Sequence, residues 1–355
     1  MRNLVNILDL TTDEIDGLVR VASDIMERPE AYADKCRGKI MGALFFEPST
    51  RTRLSFTSAM MSLGGSVLGF DQAGSSSVAK GETVADTIRM VSAYTDIIAM
   101  RHPKEGAPIV ASRVATVPVI NAGDGGHFHP TQTLTDLLTI HKKKGRFNNL
   151  TVGICGDLKY GRTVHSLISA MSRYDGVRFV LISPEELKLP DYVKDEYLFE
   201  SGCEFAETEN LESAIPSLDI LYMTRIQAER FESREDYERL KDSYILTADK
   251  LVMAKEDLSI LHPLPRVNEI DVSVDDDPRA HYFDQAMYGR YIRMALILML
   301  LKTKGVDDRR IAGEENKHLI CKNPHCISRT ERGIKMLFDD YDKCIYCDQT
   351  AAIKD

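Results

Sequence analysis

The segment from residue 47 to residue 53, Glu-Pro-Ser-Thr-Arg-Thr-Arg, lies between an apolar run, Met41 to Phe46, and a helix-like stretch, Leu54 to Leu63. This order predicts a strand that feeds a helix through a polar turn. Backbone N–H groups at a helix start and the positive end of the helix dipole favour an anion there. The turn adds three hydroxyls and two guanidinium groups, those of Ser49, Thr50, Thr52, Arg51 and Arg53. It therefore predicts a site for a phosphate dianion.

The alternative for this turn is that Ser49 caps the helix while Arg51 and Arg53 are simply solvated. Two cations in a first turn oppose the helix dipole unless an anion is bound, which favours the phosphate site. The turn lacks the Gly-x-x-x-x-Gly-Lys-Ser/Thr pattern of nucleotide-binding P-loops, so it indicates a different phosphate chemistry.

Short apolar runs alternate with amphipathic stretches along most of the chain, which predicts an α/β fold with right-handed parallel sheets. The first series of strands continues at 66–70, 97–100 and 118–121 and ends with a helix at 130–141. A second series lies at 150–155, 177–182, 220–223 and 259–261, with helices at 162–174 and 234–240. We therefore predict two doubly wound parallel-sheet domains, with ligand sites beyond the carboxyl ends of the strands.

We place the domain boundaries where the composition changes. The first domain covers 1–145 and the second 146–287, with a hinge near 145–149. A helix at 288–304 is expected to pack back on the first domain. The remaining segment, 306–355, is polar and rich in cysteine, and we predict that it forms a small separate domain.

Composition limits the classes of partner. A net charge of −9 and a pI near 5.6 disfavour nucleic acid and anionic membranes as partners, but allow small anionic substrates in a local basic pocket. The longest apolar run, Met294 to Leu301, is too short to span a bilayer, and the start of the chain lacks the pattern of a secretory signal. We expect a cytoplasmic protein.

Two further segments of the first half follow predicted strands. Arg101-His102-Pro103 follows the strand at 97–100, and His127-Phe-His129-Pro-Thr-Gln132 opens the helix at 130–141. A cation, an imidazole and an amide can polarise a carbonyl and stabilise the negative charge that develops on its oxygen. We favour Arg101, His129 and Gln132 for this role. His102 and His127, each taken alone, are interpreted as structural or surface residues.

The second half offers three polar strand ends. Gly153 to Arg162 resembles a dinucleotide-binding turn only weakly, because it departs from Gly-x-Gly-x-x-Gly and places Arg162 at the helix start, where a carboxylate would suit it better. Arg225 and Gln227 follow the strand at 220–223, and Arg225 can hold a carboxylate through two hydrogen bonds. Leu264-Pro265, after the strand at 259–261, can present backbone carbonyls to an amine or an amide.

Together these motifs resemble the aspartate and ornithine carbamoyltransferase family over residues 1 to about 305, chiefly through Ser-Thr-Arg-Thr-Arg and His-Pro-Thr-Gln. The resemblance implies a transferase that needs no cofactor for catalysis. It also implies catalytic roles for Thr52, Arg101 and His129 on the carbonyl oxygen of carbamoyl phosphate. The further carbamoyl phosphate contacts that it implies are Ser49, Thr50, Arg51 and Gln132.

The aspartate branch matches better than the ornithine branch. Ornithine enzymes use Asp-x-x-x-Ser-Met-Gly and His-Cys-Leu-Pro, whereas this chain has Thr224-Arg-Ile-Gln227 and His262-Pro-Leu-Pro265. The resemblance implies L-aspartate as the second substrate, N-carbamoyl-L-aspartate and phosphate as products in pyrimidine synthesis, and a homotrimer or higher homo-oligomer with shared active sites. The implied aspartate contacts are Arg162, Arg225, Gln227 and Lys80. Further implied substrate contacts are Leu264, Pro265 and a loop serine, assigned to Ser77 with Ser75 and Ser76 left open.

Two alternatives to this function remain open. One is carbamoyl transfer to another amine, such as ornithine. The other is a non-catalytic zinc-bearing assembly protein that keeps the fold. The phosphate, carbonyl and carboxylate candidates are all present, which favours the enzyme.

Four cysteines near the end of the chain, Cys321, Cys326, Cys344 and Cys347, form two pairs with the spacing of a zinc site. We predict one structural Zn²⁺. Disulfides are disfavoured in a protein expected to be cytoplasmic, and the flanking aspartates disfavour a nucleic-acid-binding ribbon. The segment 319–348 resembles the zinc domain of the aspartate carbamoyltransferase regulatory chain, fused here to a catalytic chain. The resemblance implies that it docks onto catalytic chains and stabilises subunit contacts. Residues 306–320 are too few to form the nucleotide-binding half of such a chain.

Overall fold

The computed structural model describes residues 2–75, 77–226, 233–240, 244–303 and 313–354. The chain divides into two compact units, one formed by 1–131 together with 290–355 and the other by 132–289. Two helices run from one unit into the other along the chain, α5 (Pro130–Lys144) and α10 (Tyr282–Lys302). None of the described helices combines the length and apolar character needed to cross a membrane.

The first unit is built on a parallel sheet with the strand order β2-β1-β3-β4. Its strands are β1 (Ile40–Phe45), β2 (Ser66–Phe70), β3 (Ile97–His102) and β4 (Val119–Asp124). Most residues of β1, β3 and β4 are buried, as expected for parallel strands covered by helices. The helices of this unit, besides parts of α5 and α10, are α1 (Thr12–Glu27), α2 (Thr50–Ser62), α3 (Val84–Ser92) and α4 (Ala107–Val114).

Local capping explains where the helices of the first unit begin. The Thr11 hydroxyl accepts from the Glu14 N–H and the Glu14 carboxylate accepts from the Thr11 N–H, a capping box at the start of α1. Thr83 caps α3 in a similar way by accepting from the Asp86 N–H. In contrast, α2 begins after Ser49 without a side-chain cap.

The second unit is built on a parallel sheet with the strand order β7-β6-β5-β8-β9. Its strands are β5 (Thr151–Cys155), β6 (Arg178–Ile182), β7 (Glu204–Thr208), β8 (Ile220–Met223) and β9 (Ser259–Leu261). The helices between them are α6 (Arg162–Met171), α7 (Asp191–Val193), which continues as a π-helical turn at Lys194–Phe199, α8 (Leu211–Ala214) and α9 (Arg234–Leu240). The edge strand β7 was not predicted, because its glutamates are exposed and it lacks an apolar run.

The end of the chain forms a small module of its own secondary structure within the first unit. Strands β10 (Leu319–Ile320) and β11 (Ala352–Ile353) pair antiparallel, and α11 (Ile327–Thr330) lies between them in the sequence. We call the described residues 313–354 the tail module. The predicted fold class is confirmed as two parallel-sheet α/β domains, and a cysteine cluster lies in the tail module.

Candidate active site

In each unit, the arginine candidates lie in or follow strands that flank the point where the strand order reverses. In the first sheet the chain passes from β1 outward to β2 and then returns to add β3 on the other side of β1. In the second sheet the corresponding pair is β5 and β8. Open α/β sheets bind ligands in the crevice outside the carboxyl ends of such strands.

The segment after β1 has the features of an anion site. Helix α2 begins at Thr50, four residues before the predicted start, so Thr50, Arg51 and Thr52 lie in its first turn. That turn contains no acidic residue and no side-chain cap. Thr50 and Arg51 are exposed, and Ser49 and Thr52 are half-buried. Arg53, one residue further along, is paired with Asp71 at 3.1 Å. The helix start therefore offers donors and positive charge to an external anion.

Arg101 lies beside this helix start at the end of β3. Phe45 of β1 pairs in register with Arg101, and the Phe46 N–H donates to the Arg101 carbonyl at 2.9 Å. The Arg101 Nε donates to the Glu47 carboxylate at 2.7 Å. Both side chains are largely buried, which strengthens a charge-assisted hydrogen bond. The sheet register thus brings Arg101 to the phosphate turn, and Glu47 orients its guanidinium.

Asp124, at the end of β4, organises the loop that carries His129. Its carboxylate accepts from the Phe128 N–H at 3.0 Å, from the Asn121 amide at 2.9 Å and from the Gly106 N–H at 2.8 Å. His129 itself is buried, with its Nδ1 3.5 Å from the Thr131 hydroxyl. Because β4 neighbours β3, His129 follows the strand next to the one that carries Arg101. Asp124 was not singled out in the sequence, although it ends a buried strand.

His102 and His127 both have structural partners. Burial lowers the pKa of His102 to about 4, and its Nδ1 accepts from the Lys104 N–H at 3.0 Å. The His127 ring bonds Asp124 through Nδ1 and Asp348 through Nε2. Burial opposes charge on His127, but these two carboxylates outweigh it and raise its pKa well above the ordinary value. Both histidines therefore fit the structural interpretation.

The loop after β2 holds the remaining candidates of the first unit. It forms short 3-10 turns at Ala73–Ser75 and Ser77–Lys80, and Lys80 is exposed. Ser76 lies outside the described residues, and the side chains of Ser75 and Ser77 are not described. The choice among the three serines therefore stays open.

In the second unit, Arg162 and Arg225 follow the neighbouring strands β5 and β8. The Thr224 hydroxyl accepts from the Asp157 N–H at 3.1 Å and donates to the Cys155 carbonyl at 3.2 Å, which joins the two strand ends. Gly156 has φ of 122°, and a Cβ there would lie 2.3 Å from the Thr224 carbonyl oxygen, so this close approach requires glycine.

Arg162 begins α6, which has no acidic residue in its first turn and no side-chain cap. This helix start resembles that of α2 in both respects. The sheet therefore brings two half-buried arginines to one edge, at strand ends that a carboxylate can reach. Gln227 lies outside the described residues.

Leu264 and Pro265 lie in a tightly held loop after β9. The peptide bond between them is cis, and Leu264 has φ of 55°. The Leu264 N–H donates to His262 Nδ1 at 2.8 Å. The neighbouring Arg266 is held by the Asp275 carboxylate and the Tyr282 hydroxyl.

Gln132, on α5, donates its amide to Asp136 at 2.7 Å.

The four tail cysteines form a candidate metal centre. All four are buried, and their sulfur atoms lie within 4.8 Å of one another. Two of the Sγ–Sγ distances are 3.5 Å, between Cys321 and Cys347, and 3.8 Å, between Cys326 and Cys344. A tetrahedral zinc ion with bonds of about 2.3 Å places its sulfur ligands about 3.8 Å apart. The donor set and spacing therefore fit a structural Zn²⁺.

The tail module packs on α3, α4 and the β4 loop of its own unit. The Glu105 N–H donates to the His325 carbonyl at 3.1 Å, and the Ile327 N–H donates to the Glu105 carbonyl at 2.9 Å. Gly106 has φ of 80°, and a Cβ there would lie 2.4 Å from the Tyr346 carbonyl oxygen. One hydrophobic cluster joins the two surfaces, including Ala107, Ile109, Val110, Ile327, Phe338, Ile345 and Tyr346.

Polar contacts extend this docking surface towards two candidate loops. Glu331 accepts from the Val84 N–H at 2.7 Å at the start of α3, and Asp348 bonds His127 at 2.9 Å. Arg113 on α4 donates to the Tyr346 hydroxyl at 3.2 Å. The tail module is therefore fixed to the unit that carries the phosphate turn.

Comparison with protein families gives two matches that together cover most of the chain. Residues 2–142 match the model described as the aspartate/ornithine carbamoyltransferase carbamoyl-P binding domain. Residues 148–300 match the model of the Asp/Orn binding domain of the same family. The tail module lies outside both matches.

Individual relatives agree with these matches. The aspartate carbamoyltransferase catalytic subunit of Lachnoclostridium phytofermentans is 62% identical over 301 residues, which is 85% of this chain and 98% of that protein. The catalytic subunit of M. jannaschii aspartate transcarbamoylase aligns with a TM-score of 0.80 and 44% identity, covering 85% of this chain and 98% of that one.

A Trypanosoma cruzi aspartate transcarbamoylase, solved in complex with carbamoyl phosphate and aspartate, aligns with a TM-score of 0.79 and 38% identity. The alignment covers 84% of this chain and 96% of that one. Since the family models span well over half of the sequence and these relatives are matched almost along their full length, the chain belongs to the aspartate/ornithine carbamoyltransferase family.

Proposed function

We propose that this protein is an aspartate carbamoyltransferase, which converts carbamoyl phosphate and L-aspartate to N-carbamoyl-L-aspartate and phosphate in pyrimidine synthesis. The observation that carries the proposal is the uncapped start of α2, with its hydroxyls and Arg51, beside the oriented Arg101 at the end of β3. The relatives support the choice of aspartate, because they are aspartate carbamoyltransferases and one was solved with both substrates.

In this proposal the α2 turn binds the phosphate group of carbamoyl phosphate through Ser49, Thr50, Arg51 and Thr52. Arg101, His129 and Thr52 donate to the carbonyl oxygen, and Gln132 contacts the carbamoyl group. The α-amine of aspartate attacks the carbamoyl carbon, and these donors stabilise the oxyanion of the tetrahedral intermediate. Phosphate then leaves into the α2 turn, and the leaving phosphate is a candidate acceptor for the proton that the amine releases. Catalysis rests on positioning and electrostatics, without a covalent enzyme intermediate.

The carboxylates of aspartate pair with Arg162 and Arg225, and Gln227, Leu264 and Pro265 complete the contacts. This charge pattern favours a dicarboxylate over the ammonium group of ornithine. The two halves of the reaction correspond to a carbamoyl phosphate domain at 1–145, together with the helix at 288–304, and an aspartate domain at 146–287.

We further infer a homotrimer or a larger homo-oligomer, in which Lys80 and a serine of the loop after β2 act in the site of the adjacent subunit. The exposure of Lys80 on its own chain supports this assignment. The tail module, at 306–355, is proposed as a zinc domain of the regulatory-chain type fused to the catalytic chain. Its zinc ion would be structural, held by Cys321, Cys326, Cys344 and Cys347, and would supply no catalytic chemistry.

The test is phosphate release from carbamoyl phosphate by the purified protein, with L-aspartate and L-ornithine supplied in parallel. We expect turnover with aspartate and none above background with ornithine. Turnover with ornithine alone would replace the proposed second substrate, and absence of turnover with both would favour a non-catalytic assembly role.

A further inference from the structure

A chain of buried hydrogen bonds in the second unit joins two of the proposed substrate contacts. It begins at Gln132, on α5, and ends at the loop 264–268, after β9. Its internal members are Asp136, Tyr222, Gln285, His262 and Glu269, each less than 5% exposed. None of these five was assigned a role in the reaction above.

Asp136 lies at the centre of this network. Its Oδ1 accepts from the side-chain amides of Gln132 at 2.7 Å and Gln285 at 2.6 Å. Its Oδ2 accepts from the Tyr222 hydroxyl at 3.0 Å. An ionised carboxylate can only accept hydrogen bonds, so Asp136 requires the NH₂ end of both glutamine amides to face it.

This requirement fixes the orientation of Gln285, and the Leu264 N–H separately fixes the tautomer of His262. With its NH₂ group on Asp136, Gln285 presents Oε1 to the His262 N–H at 2.9 Å. The His262 ring accepts at Nδ1 from the Leu264 N–H, so its proton lies on Nε2 and is donated to Glu269 at 2.7 Å.

Glu269 closes the network at the loop. Its second oxygen accepts from the Val267 N–H at 3.0 Å and the Asn268 N–H at 3.1 Å. Burial raises the pKa of Glu269, but His262 and the backbone bond from Val267 outweigh it and hold the pKa below the ordinary value. The loop that carries Leu264 and Pro265 is therefore held by an anionic Glu269 and by His262.

At the other end, the same logic orients Gln132. Because its NH₂ group is held by Asp136, its Oε1 is the atom left to meet a ligand, and no described residue bonds that oxygen. An acceptor oxygen suits the NH₂ group of a carbamoyl substituent, which is a hydrogen-bond donor. If the Gln132 amide were flipped, its NH₂ group would face the carbamoyl NH₂ group, and the hydrogen bond would be lost.

We propose that Asp136 and the His262–Glu269 pair are positioning residues, which fix Gln132 with its acceptor oxygen towards the carbamoyl NH₂ and hold the 264–268 loop for the amino acid substrate. This inference rests on the proposed function, since it takes Gln132 and Leu264 as substrate contacts. The network acts through these two contacts and touches no reacting atom itself.

The first experiment uses isosteric changes at the centre of the network. In Asp136→Asn, the new NH₂ group can face Tyr222, whose hydroxyl can turn and accept, so Gln132 keeps its acceptor. In Tyr222→Phe, Asp136 keeps both amide donors. Each single variant is therefore expected to change the KM for carbamoyl phosphate by less than about three-fold.

Asp136→Ala removes the acceptor that faces both glutamine amides, so the Gln132 amide can turn its NH₂ towards the ligand. We expect the KM for carbamoyl phosphate to rise by about ten-fold or more. In a Gln132→Ala background this rise should disappear. A KM as low as that of Asp136→Asn, or a rise that persists without Gln132, would overturn the assignment of Asp136.

The second experiment tests the loop end with Glu269→Gln. Three donors face the Glu269 carboxylate, from His262, Val267 and Asn268, so the NH₂ group of glutamine must oppose one of them. We expect the KM for aspartate to rise by about ten-fold, with the KM for carbamoyl phosphate unchanged within about two-fold. An unchanged KM for aspartate would overturn the role of the pair.

Wild-type turnover with aspartate is measured first, and its absence overturns the proposed function itself. If the wild type is active, failure of the expected KM changes overturns only the positioning inference. Should Glu269→Gln not fold, hydrogen exchange of the Leu264, Val267 and Asn268 amides in His262→Gln replaces it. Exchange of these amides as slow as in the wild type would then refute the role of the pair.

Discussion

Glu47 holds Arg101 by its Nε atom, at 2.7 Å, and leaves the two terminal nitrogens of the guanidinium group without a hydrogen bond to any described residue. A guanidinium group held in this way can donate hydrogen bonds to a ligand from both terminal nitrogens. The sheet register places this pair at the carboxyl ends of β1 and β3, next to the first turn of α2. Glu47 is therefore a residue that orients a proposed catalytic group.

Replacing Glu47 with alanine should lower kcat/KM for carbamoyl phosphate by about ten-fold to a hundred-fold, because Arg101 loses its fixed orientation. Glu47→Gln keeps an acceptor without the charge and should lose less. Steady-state kinetics at saturating aspartate measures both effects. An alanine variant as active as the wild type would show that Arg101 needs no such support.

The two arginines of the α2 turn should differ in importance. Arg51→Ala is expected to lower kcat/KM for carbamoyl phosphate by about 10²-fold or more, because it removes a charged donor from the phosphate site. Arg53→Ala should lower it less, because Asp71 already holds that side chain. Equal losses in the two variants would contradict the assignment of Arg51.

Arg225→Ala should raise the KM for aspartate by about ten-fold or more and leave the KM for carbamoyl phosphate nearly unchanged, since it removes a carboxylate partner. Arg178→Ala is the matched control in the same unit, because Arg178 is exposed and paired with Glu204. A rise in the KM for carbamoyl phosphate alone would contradict the assignment of Arg225 to aspartate binding.

The buried His102 makes stability depend on pH. Burial lowers its pKa to about 4, below the ordinary value of 6.5, so between these values the unfolded chain binds a proton that the folded chain does not. The free energy of unfolding is therefore highest above pH 6.5. It falls by up to about 1.4 kcal/mol per pH unit as the pH decreases from 6.5 towards 4.

His102→Asn, whose side-chain oxygen can still accept from the Lys104 N–H, should remove this dependence. Thermal unfolding between pH 7 and pH 5 should therefore show a smaller fall in Tm for the variant than for the wild type. Parallel curves would mean that folding does not lower the pKa of His102.

The tail module should require a metal ion for its stability. We expect purified protein to contain about one zinc ion per chain, and Cys344→Ser to lose it together with several degrees of Tm. Cys203→Ser is the control, because Cys203 belongs to the second unit and not to the tail module. Among the described residues, its thiol bonds only the Val177 carbonyl.

Metal analysis by mass spectrometry and thermal unfolding measure these effects. Bound zinc that survives in Cys344→Ser would contradict the four-cysteine centre. Chelation should also loosen the assembly before it abolishes carbamoyl phosphate binding, and a chelated protein of unchanged size would contradict the proposed role in assembly.

The sequence predicted those features that depend on local pattern. Strands β2, β8 and β9 have the predicted bounds, because each is a short apolar run next to turn residues. The family and the aspartate branch followed from contiguous motifs, and the relatives agree with both. The roles of individual site residues stay predictions.

Features that depend on distant contacts could not be read from local pattern. Helix α10 begins at Tyr282, six residues before the predicted start, and Asp284 and Gln285 in its first turns bond Lys143 and Asp136, which are distant in the sequence. Asp136 and Gln285 are separated by 149 positions, and only the folded chain shows their hydrogen bond. The pairing of Glu47 with Arg101 is likewise set by the register of β1 and β3.

The measurement that tests the account most directly is the identity of the product formed from ¹³C-labelled carbamoyl phosphate and ¹⁵N-labelled L-aspartate. Nuclear magnetic resonance of the reaction mixture should show the labelled carbon bonded to the labelled nitrogen, as in N-carbamoyl-L-aspartate, at a rate that depends on the protein and is reduced in Arg51→Ala. Carbamoyl phosphate that decays at the uncatalysed rate, with no carbon–nitrogen coupling, would contradict the proposed function.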